Sequence, residues 1–433
     1  MTATSKQSAG KGGSTRREFL RTTAAVSAAA LAAALPRVSL GAEGANGRLG
    51  IGFIGCGGRA GAHMGCIKYL RDEQKLPVDP VAVCDVYRPR MERAAKDLGA
   101  KGYMDHRELL ADPKVDVVCI ATPDHHHGYQ AVDALKAGKH VYCEKPVTHW
   151  RQFDLIRKLA DEVKKSGLTF QCGTQGMSDG AWHKMKKLVQ EGLIGQPIHA
   201  ECGFFRVGDW GEVGMPIDDP NVKPGKDLNW EAFLGDSPKR DFDVSRFFRW
   251  RMYEDYAGGP VTDLFPHSLS PVVSILGVDF PSTVVAAGGM FRYTQRDVPD
   301  TFNMLIDYPQ KITVAALGTQ GNNDPTAQQR GAGGSVPIIR GWDGSLTVRG
   351  NEIVFAPAEG AKDKKPLKFP IEYGENLGDH WKNLLDKIRE KKQDTWGSID
   401  LTYRVQTALI MGAWALKQGK VARFDAAKHE IVI

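Results

Sequence analysis

Residues 49–62 read Leu-Gly-Ile-Gly-Phe-Ile-Gly-Cys-Gly-Gly-Arg-Ala-Gly-Ala, and they limit the fold more than any other stretch. A short apolar run passes through Gly55-x-Gly57-x-x-Ala60 and then turns helical. A strand, a tight turn and a helix N-terminus fit that order. Gly55 lets the backbone turn sharply. Gly57 leaves room for a pyrophosphate against the chain, and small Ala60 lets the helix pack close to the strand. Free N–H groups at the helix start would then face phosphate oxygens. Gly55, Gly57, Gly58, Arg59 and Ala60 are therefore candidate dinucleotide contacts. An ordinary glycine turn would look the same in isolation, so the neighbouring elements decide.

Those elements alternate. Pro80-Val-Ala-Val-Cys-Asp85 is a second buried strand ending in an acid. A carboxylate there can accept hydrogen bonds from the adenosine ribose and repel a 2′-phosphate, which favours NAD over NADP. Arg88 and Arg90 follow closely and could host a phosphate instead, and Asp85 could also serve as a helix cap. Val115–Ala121 is a third strand, stopping at Thr122-Pro123-Asp124-His125-His126-His127. Adjacent residues point in different directions, so three histidines in a row rarely share one ion, and no metal is expected. The stretch is expected to be a loop beside the nucleotide crevice, with Thr122, Pro123 and His127 as cofactor contacts. The next strand exits through Glu144-Lys145-Pro146, an acid and an amine over the cofactor ring or, more plainly, a surface ion pair. Pro146 cannot extend the ladder and fits a cis bond. Alternating strands and helices predict a parallel sheet with right-handed crossovers.

The glycine turn, Ala121-Thr-Pro-Asp-x-x-His127 and Glu144-Lys145-Pro146, in this order and spacing, resemble the glucose–fructose oxidoreductase / inositol dehydrogenase / MocA (Gfo/Idh/MocA) family. The resemblance runs from about Arg48 to the C-terminus. It implies an α/β chain with an N-terminal Rossmann dinucleotide-binding domain and a C-terminal α/β domain with a mostly antiparallel open sheet. It also implies a lysine, here Lys145, near nicotinamide and substrate. The expected division is a signal peptide over 1–41, the Rossmann domain over 48–170, a substrate and oligomerisation domain over 171–375, and C-terminal helices over 376–433 that return to the first domain.

In the second half, Pro197–Val207 alternates like a strand, and 208–239 reads as a long loop, a kind that is usually functional. Aromatics beside arginines up to Arg251 suit a polyhydroxylated ligand, although core aromatics with snorkelling arginines would read alike. Gln175, Arg251 and Tyr256 are the substrate candidates. Asp263 and His267 stand at i and i+4, one face of a helix, where a carboxylate can orient an imidazole for proton transfer. A capping Asp and a buried His would share that spacing. The run Gly-Gly-x-x-x-Asp263-x-x-x-His267 resembles the family's dehydrogenase motif, which groups Lys145, Asp263 and His267 as catalytic residues. Pro266 departs from that pattern and could bend the helix. Strands are expected from Thr283 onward, with a Gly-rich lid over Asn322–Val336.

The formal charge of +6 comes mostly from residues 1–41, which hold six basic residues against Glu18. The remainder is nearly neutral, which gives no electrostatic case for nucleic acid. Thr15-Arg16-Arg17-Glu18-Phe19-Leu20 resembles a twin-arginine export motif, followed by an Ala-rich run and a small-residue cleavage region before Ala42. The expected location is the periplasm, or another destination reached by the twin-arginine route, with no membrane span after signal removal. Seven cysteines without CxxC spacing suggest neither a disulfide framework nor zinc. Together these features predict an exported NAD-dependent oxidoreductase, with NADP possible, acting on a secondary alcohol of a sugar or polyol. It would hold its cofactor tightly and form a homo-oligomer, a dimer or tetramer. The alternatives are an NAD-dependent glycoside hydrolase working by transient oxidation and elimination, and a non-catalytic sugar-binding protein on a dinucleotide fold.

Overall fold

The computed structural model describes residues 47–208, 215–323, 328–331 and 334–433. The export-signal stretch and part of the expected lid lie outside the described residues. Six strands form the first sheet: β1 (Leu49–Ile54), β2 (Val78–Cys84), β3 (Lys101–Tyr103), β4 (Val117–Ile120), β5 (His140–Cys143) and β6 (Phe170–Cys172). Their order is β3-β2-β1-β4-β5-β6 and every pairing is parallel. Strands β1, β4 and β5 are buried at every position, which explains why they read as unbroken apolar runs rather than alternating ones. Helices α1 (Gly58–Asp72), α2 (Arg88–Leu98), α3 (His106–Leu110), α4 (Asp124–Lys136) and α5 (Phe153–Ser166) cover the two faces, giving a separate apolar cluster on each side. Strand order reverses between β1 and β4, the point beyond whose strand ends doubly wound sheets hold their ligands.

Helix α6 (Gly180–Gln190) and β7 (Pro197–Val207) start the second domain. A long insert follows, with two short helices, α7 (Trp230–Leu234) and α8 (Val244–Phe248), so the stretch expected as loop is partly helical. Its aromatics form one cluster around Phe233, Phe247 and Phe248 that takes in Tyr87 from the first domain. Next come α9 (Pro260–Asp263), α10 (Phe265–Leu276) and the strands β8 (Thr283–Gly289), β9 (Thr301–Tyr308), β10 (Ile312–Thr319), β11 (Gly321–Asn322), β12 (Ser335–Gly341), β13 (Gly344–Arg349), β14 (Glu352–Pro357) and β15 (Leu367–Pro370). With β7 these make a sheet that is antiparallel apart from the β7–β10 pair. Alternation is clean in β9: Phe302, Met304, Ile306 and Tyr308 face the helices, while Leu305 points away, 56% exposed. One sheet face is therefore packed and the other open.

The end of the chain serves both domains. Helix α11 (Leu377–Arg389) buries Trp381, Leu384 and Leu385 in the first domain's core beside α1. Helix α12 (Ile399–Gln418) packs on α10, β8 and α5. The segment expected to be helices alone also ends in two strands, β16 (Ala422–Asp425) and β17 (Glu430–Val432). They extend the second sheet from β8, because Ala422 and Arg423 pair with Val284 and Thr283. No helix among the described residues is long and apolar enough to cross a membrane.

Candidate active site

At the end of β1, Gly55 has φ +91°, and a Cβ there would lie 2.6 Å from the Ala121 carbonyl oxygen. Only glycine fits. Two residues on, the surroundings are open: a Cβ on Gly57 would meet only Arg90 Nη1 at 3.5 Å, and one on Gly58 would meet nothing within 4 Å. No side chain caps the first turn of α1. The amides of Gly58, Arg59 and Ala60 are then free donors at the positive end of the helix dipole, in a cradle that fits a dinucleotide pyrophosphate. Asp85 stands beside it at the end of β2. Its Oδ2 accepts from the Cys56 amide at 2.8 Å and its Oδ1 from the Tyr87 amide at 2.9 Å, so it shapes the turn. Desolvation raises its pKa against the pull of Arg90 and those two amides.

Glu144 does not project over the crevice as expected. It is 3% exposed and lies beneath the glycine turn, where Arg59 Nε (2.8 Å) and His63 Nε2 (2.8 Å) donate to its Oε1. Burial opposes its charge, but Arg59 and His63 outweigh that and hold the carboxyl well below its ordinary value. Trp381 Nε1 donates to His63 Nδ1 at 3.0 Å, which fixes the proton on His63 Nε2. Arg59 also donates to Gln175 Oε1 at 3.1 Å, bringing that substrate candidate to the cofactor side of the site. Neither His63 nor Trp381 stood out in the sequence; the contact joins residues 318 positions apart.

The three histidines are helical rather than looped. Pro123 is the N-cap of α4 and Asp124 its first residue, where an acid suits the dipole. His125 and His126 both direct Nε2 at the Phe233 carbonyl, at 2.8 and 2.7 Å, and so dock the insert onto α4. His127 is 2% exposed, and its two ring nitrogens lie 2.7 Å from the carbonyl oxygens of Pro146 and Thr122. Its ring is spent on backbone, so the expected cofactor contact becomes a tie between the ends of β4 and β5. The Thr122 hydroxyl donates to Gln130 at 2.8 Å. The Lys145–Pro146 bond is cis.

Lys145 leaves β5 toward the second domain and donates to Asp263 Oδ1 at 2.8 Å and to the Asp263 carbonyl. Arg251 Nε and Arg206 Nη2 reach the same carboxylate at 3.3 and 3.6 Å. Burial opposes the charge on Asp263, yet these three cations hold its pKa far below the usual range. Asp263 does not orient His267. It closes α9, the backbone breaks at Leu264, and His267 belongs to α10. Pro266 fits the break: without an N–H it cannot donate back into α9, and it sits instead in the first turn of α10. His267 Nδ1 is buried without a hydrogen-bond partner, and desolvation plus the Lys145 charge lower the ring's pKa to about 3. Asp124, 3% exposed, accepts from the Thr262 hydroxyl at 3.3 Å. Desolvation raises its pKa to about 7 despite Arg251. Arg206 and Asp124 were not proposed as site residues from the sequence: Arg206 lies in the run that alternates like a strand, and Asp124 in the stretch read as a loop.

The substrate candidates separate. Arg251 stays at the site, stacked over Trp250 with its guanidinium 4.2 Å from the ring centroid. Tyr256 is 0% exposed and packs against His125 and Phe233, so it is a core aromatic rather than a ligand contact.

A parallel sheet with an open glycine turn, facing a half-open antiparallel sheet across a Lys–Asp pair, defines a two-domain class built on a dinucleotide fold. The chain belongs to the Gfo/Idh/MocA oxidoreductase family. Residues 49–174 match its "Oxidoreductase family, NAD-binding Rossmann fold" and 179–317 its "Oxidoreductase family, C-terminal alpha/beta domain", together more than half of the chain. Myo-inositol 2-dehydrogenase of Thermotoga maritima is 30% identical over 213 residues, which are 49% of this chain and 58% of that enzyme. The chain spans about half the length of the curated relatives it matches. Among solved structures, the WlbA dehydrogenase of Chromobacterium violaceum, in complex with NADH and UDP-GlcNAcA, superimposes with TM-score 0.65 at 17% identity, over 88% of this chain and 96% of that one. A levoglucosan dehydrogenase in complex with NADH gives 0.65 at 19%, over 87% and 99%. At these identities the likeness is one of fold.

Proposed function

We propose that this chain is an exported oxidoreductase that moves a hydride between a secondary alcohol of a sugar or polyol and a tightly held nicotinamide cofactor. The observation that carries the reading is the meeting of Lys145, from the end of β5, with Asp263 from the second domain, beside a glycine turn that fits a dinucleotide. The relatives named for inositol and levoglucosan support a polyhydroxylated substrate. The first-turn amides of α1 with Arg59 and Asp85 would hold the dinucleotide, and Asp85 favours NAD. When bound, NAD supplies the hydride acceptor.

The chain's own residues handle the proton and orient the substrate. His267 is neutral at ordinary pH, so a ring nitrogen offers a lone pair to the substrate hydroxyl. The Lys145 ammonium, aimed by Asp263, stabilises negative charge developing on that oxygen. Arg251 offers donors to neighbouring hydroxyls. The paired arginines at residues 16 and 17 support export, and the open sheet face, where Val285, Leu305 and Leu317 are exposed, supports a homo-oligomer.

The test is mass spectrometry of cofactor released from denatured protein, with a panel of inositols, aldoses and glycosides assayed without added NAD. Released NAD and a keto product from a free polyol or sugar support the reading. Net glycoside hydrolysis, or protein that binds no dinucleotide, overturns it.

A further inference from the structure

Both arginines that follow Asp85 are claimed by the second domain's insert. Arg90 Nη1 rests 3.5 Å from where a Gly57 Cβ would lie, and its guanidinium stacks over Phe248 with the centroid 5.1 Å away. Its Nε donates to Asp218 Oδ2 at 2.6 Å. Arg88 is tied to Asp227 twice, by Nε to Oδ1 at 3.1 Å and by its amide to the carbonyl at 2.8 Å. The insert also crosses the end of β2 through the amide of Asn229, which donates to the Val86 carbonyl at 2.9 Å.

We propose that Asp218 is a specificity-determining residue, which sets the preference for NAD over NADP by occupying Arg90. The inference rests on the dinucleotide reading of the glycine turn. A 2′-phosphate is recognised best by a guanidinium fork free to bind two of its oxygens. At this corner the Arg90 fork is held through its Nε by a carboxylate, and an entering phosphate would face Asp218 as well as Asp85. Asp218 thus repeats, from the other domain, the exclusion Asp85 exerts at the strand end. Arg90 is the element that could be turned to either cofactor, and the insert decides which.

The experiment titrates the full chain with NADH by fluorescence and displaces it with NAD or NADP, for the wild type, Asp218→Asn, Asp218→Glu and the double variant Asp218→Asn/Arg90→Ala. Removing one nearby negative charge should lower the ratio of NADP to NAD dissociation constants by about tenfold in Asp218→Asn. Asp218→Glu, which keeps the charge, should retain the wild-type ratio, and the double variant should lose the gain. An Asp218→Asn protein that binds NADH with an unchanged ratio overturns the inference, as does a gain that survives loss of Arg90. A wild-type chain that neither releases a dinucleotide on denaturation nor binds NADH overturns the dinucleotide reading itself, a distinct result. If Asp218→Asn fails to fold, Arg90→Ala alone carries the test: its ratio should stay at the wild-type value, and a marked fall would overturn the role of Arg90.

Discussion

Lys145 grips Asp263 at both ends, its ammonium donating to the side-chain Oδ1 at 2.8 Å and to the main-chain carbonyl of the same residue. The lysine comes from the first domain and the aspartate from the second, so the contact fixes the two domains as well as the amine. Lys145→Ala should lower kcat by roughly 10²–10⁴-fold while leaving NADH affinity within about threefold, because the glycine turn is untouched. Steady-state kinetics and an NADH titration on one preparation check both halves. Asp263→Asn should cost about 3 kcal/mol of stability, since it leaves Lys145, Arg206 and Arg251 without their common counter-charge.

The glycines of the turn should separate binding from folding. Gly57→Ala finds space, since a Cβ there meets only Arg90 Nη1 within 4 Å, so unfolding free energy should move by less than about 1 kcal/mol while NADH affinity falls at least roughly tenfold. Gly55→Ala needs a positive φ and overlaps the Ala121 carbonyl, so it should destabilise by more than about 2 kcal/mol. Urea unfolding with a binding titration distinguishes the pair. Equal loss of stability in both would contradict the open cradle.

The buried chain Arg59–Glu144–His63–Trp381 should behave as one unit. Glu144→Gln strips Arg59 of its charged partner and should cost about 3–5 kcal/mol. Trp381→Phe can keep the stacking on Tyr142, 4.4 Å between centroids, but loses the N–H to His63, a cost of about 1–3 kcal/mol. The double variant should lose less than the sum, which a double-mutant cycle reads directly.

Acid should weaken this fold early. Burial lowers the pKa of His126 and His140 to about 4 and of His149, His267 and His380 to about 3. Each stays neutral in the fold below the pH at which the unfolded chain, with histidine near 6.5, takes up a proton. Stability present above about pH 6.5 is therefore lost as pH falls toward 3–4, by roughly 1.4 kcal/mol per pH unit for each histidine titrating. Asp124 acts the other way: its raised pKa of about 7 gives stability at low pH that fades as pH rises through 7. Asp85, Asp116 and Asp297 are raised as well, but His63, His125, His127 and His183 are lowered too, so among the described residues four carboxyls stand against nine histidines and the net is a rise from pH 4.5 to 6.5. Urea midpoints across that range measure it, and a flat or falling curve would refute the neutral histidines.

The Rossmann half was legible because its strands are buried on both faces and so appear as apolar runs closed by chemistry-bearing residues such as Asp85, Thr122 and Lys145. The grouping of Lys145 with Asp263 was legible only through the family resemblance, since the two are 118 residues apart. The i, i+4 spacing of Asp263 and His267 misled: it assumes one continuous helix, and Pro266 starts another. Glu144 misled for a different reason. A charged residue at a strand end is ordinarily assigned to solvent, and nothing local announced that Arg59, His63 and Trp381 would surround it. Tyr256 likewise reads as a ligand contact or a core ring until its neighbours are known.

The bond from Trp381 to His63 also bears on how the protein is made. The glycine turn is synthesised well before the residue that orients the histidine beneath it, which lies 318 positions after that histidine. A ribosome that has translated every strand of the first sheet has still not supplied the wedge that closes its core. The nucleotide half is thus translated before the second domain and finished only after it, and a fragment cut at the apparent boundary between domains would carry every nucleotide motif on an unfinished support.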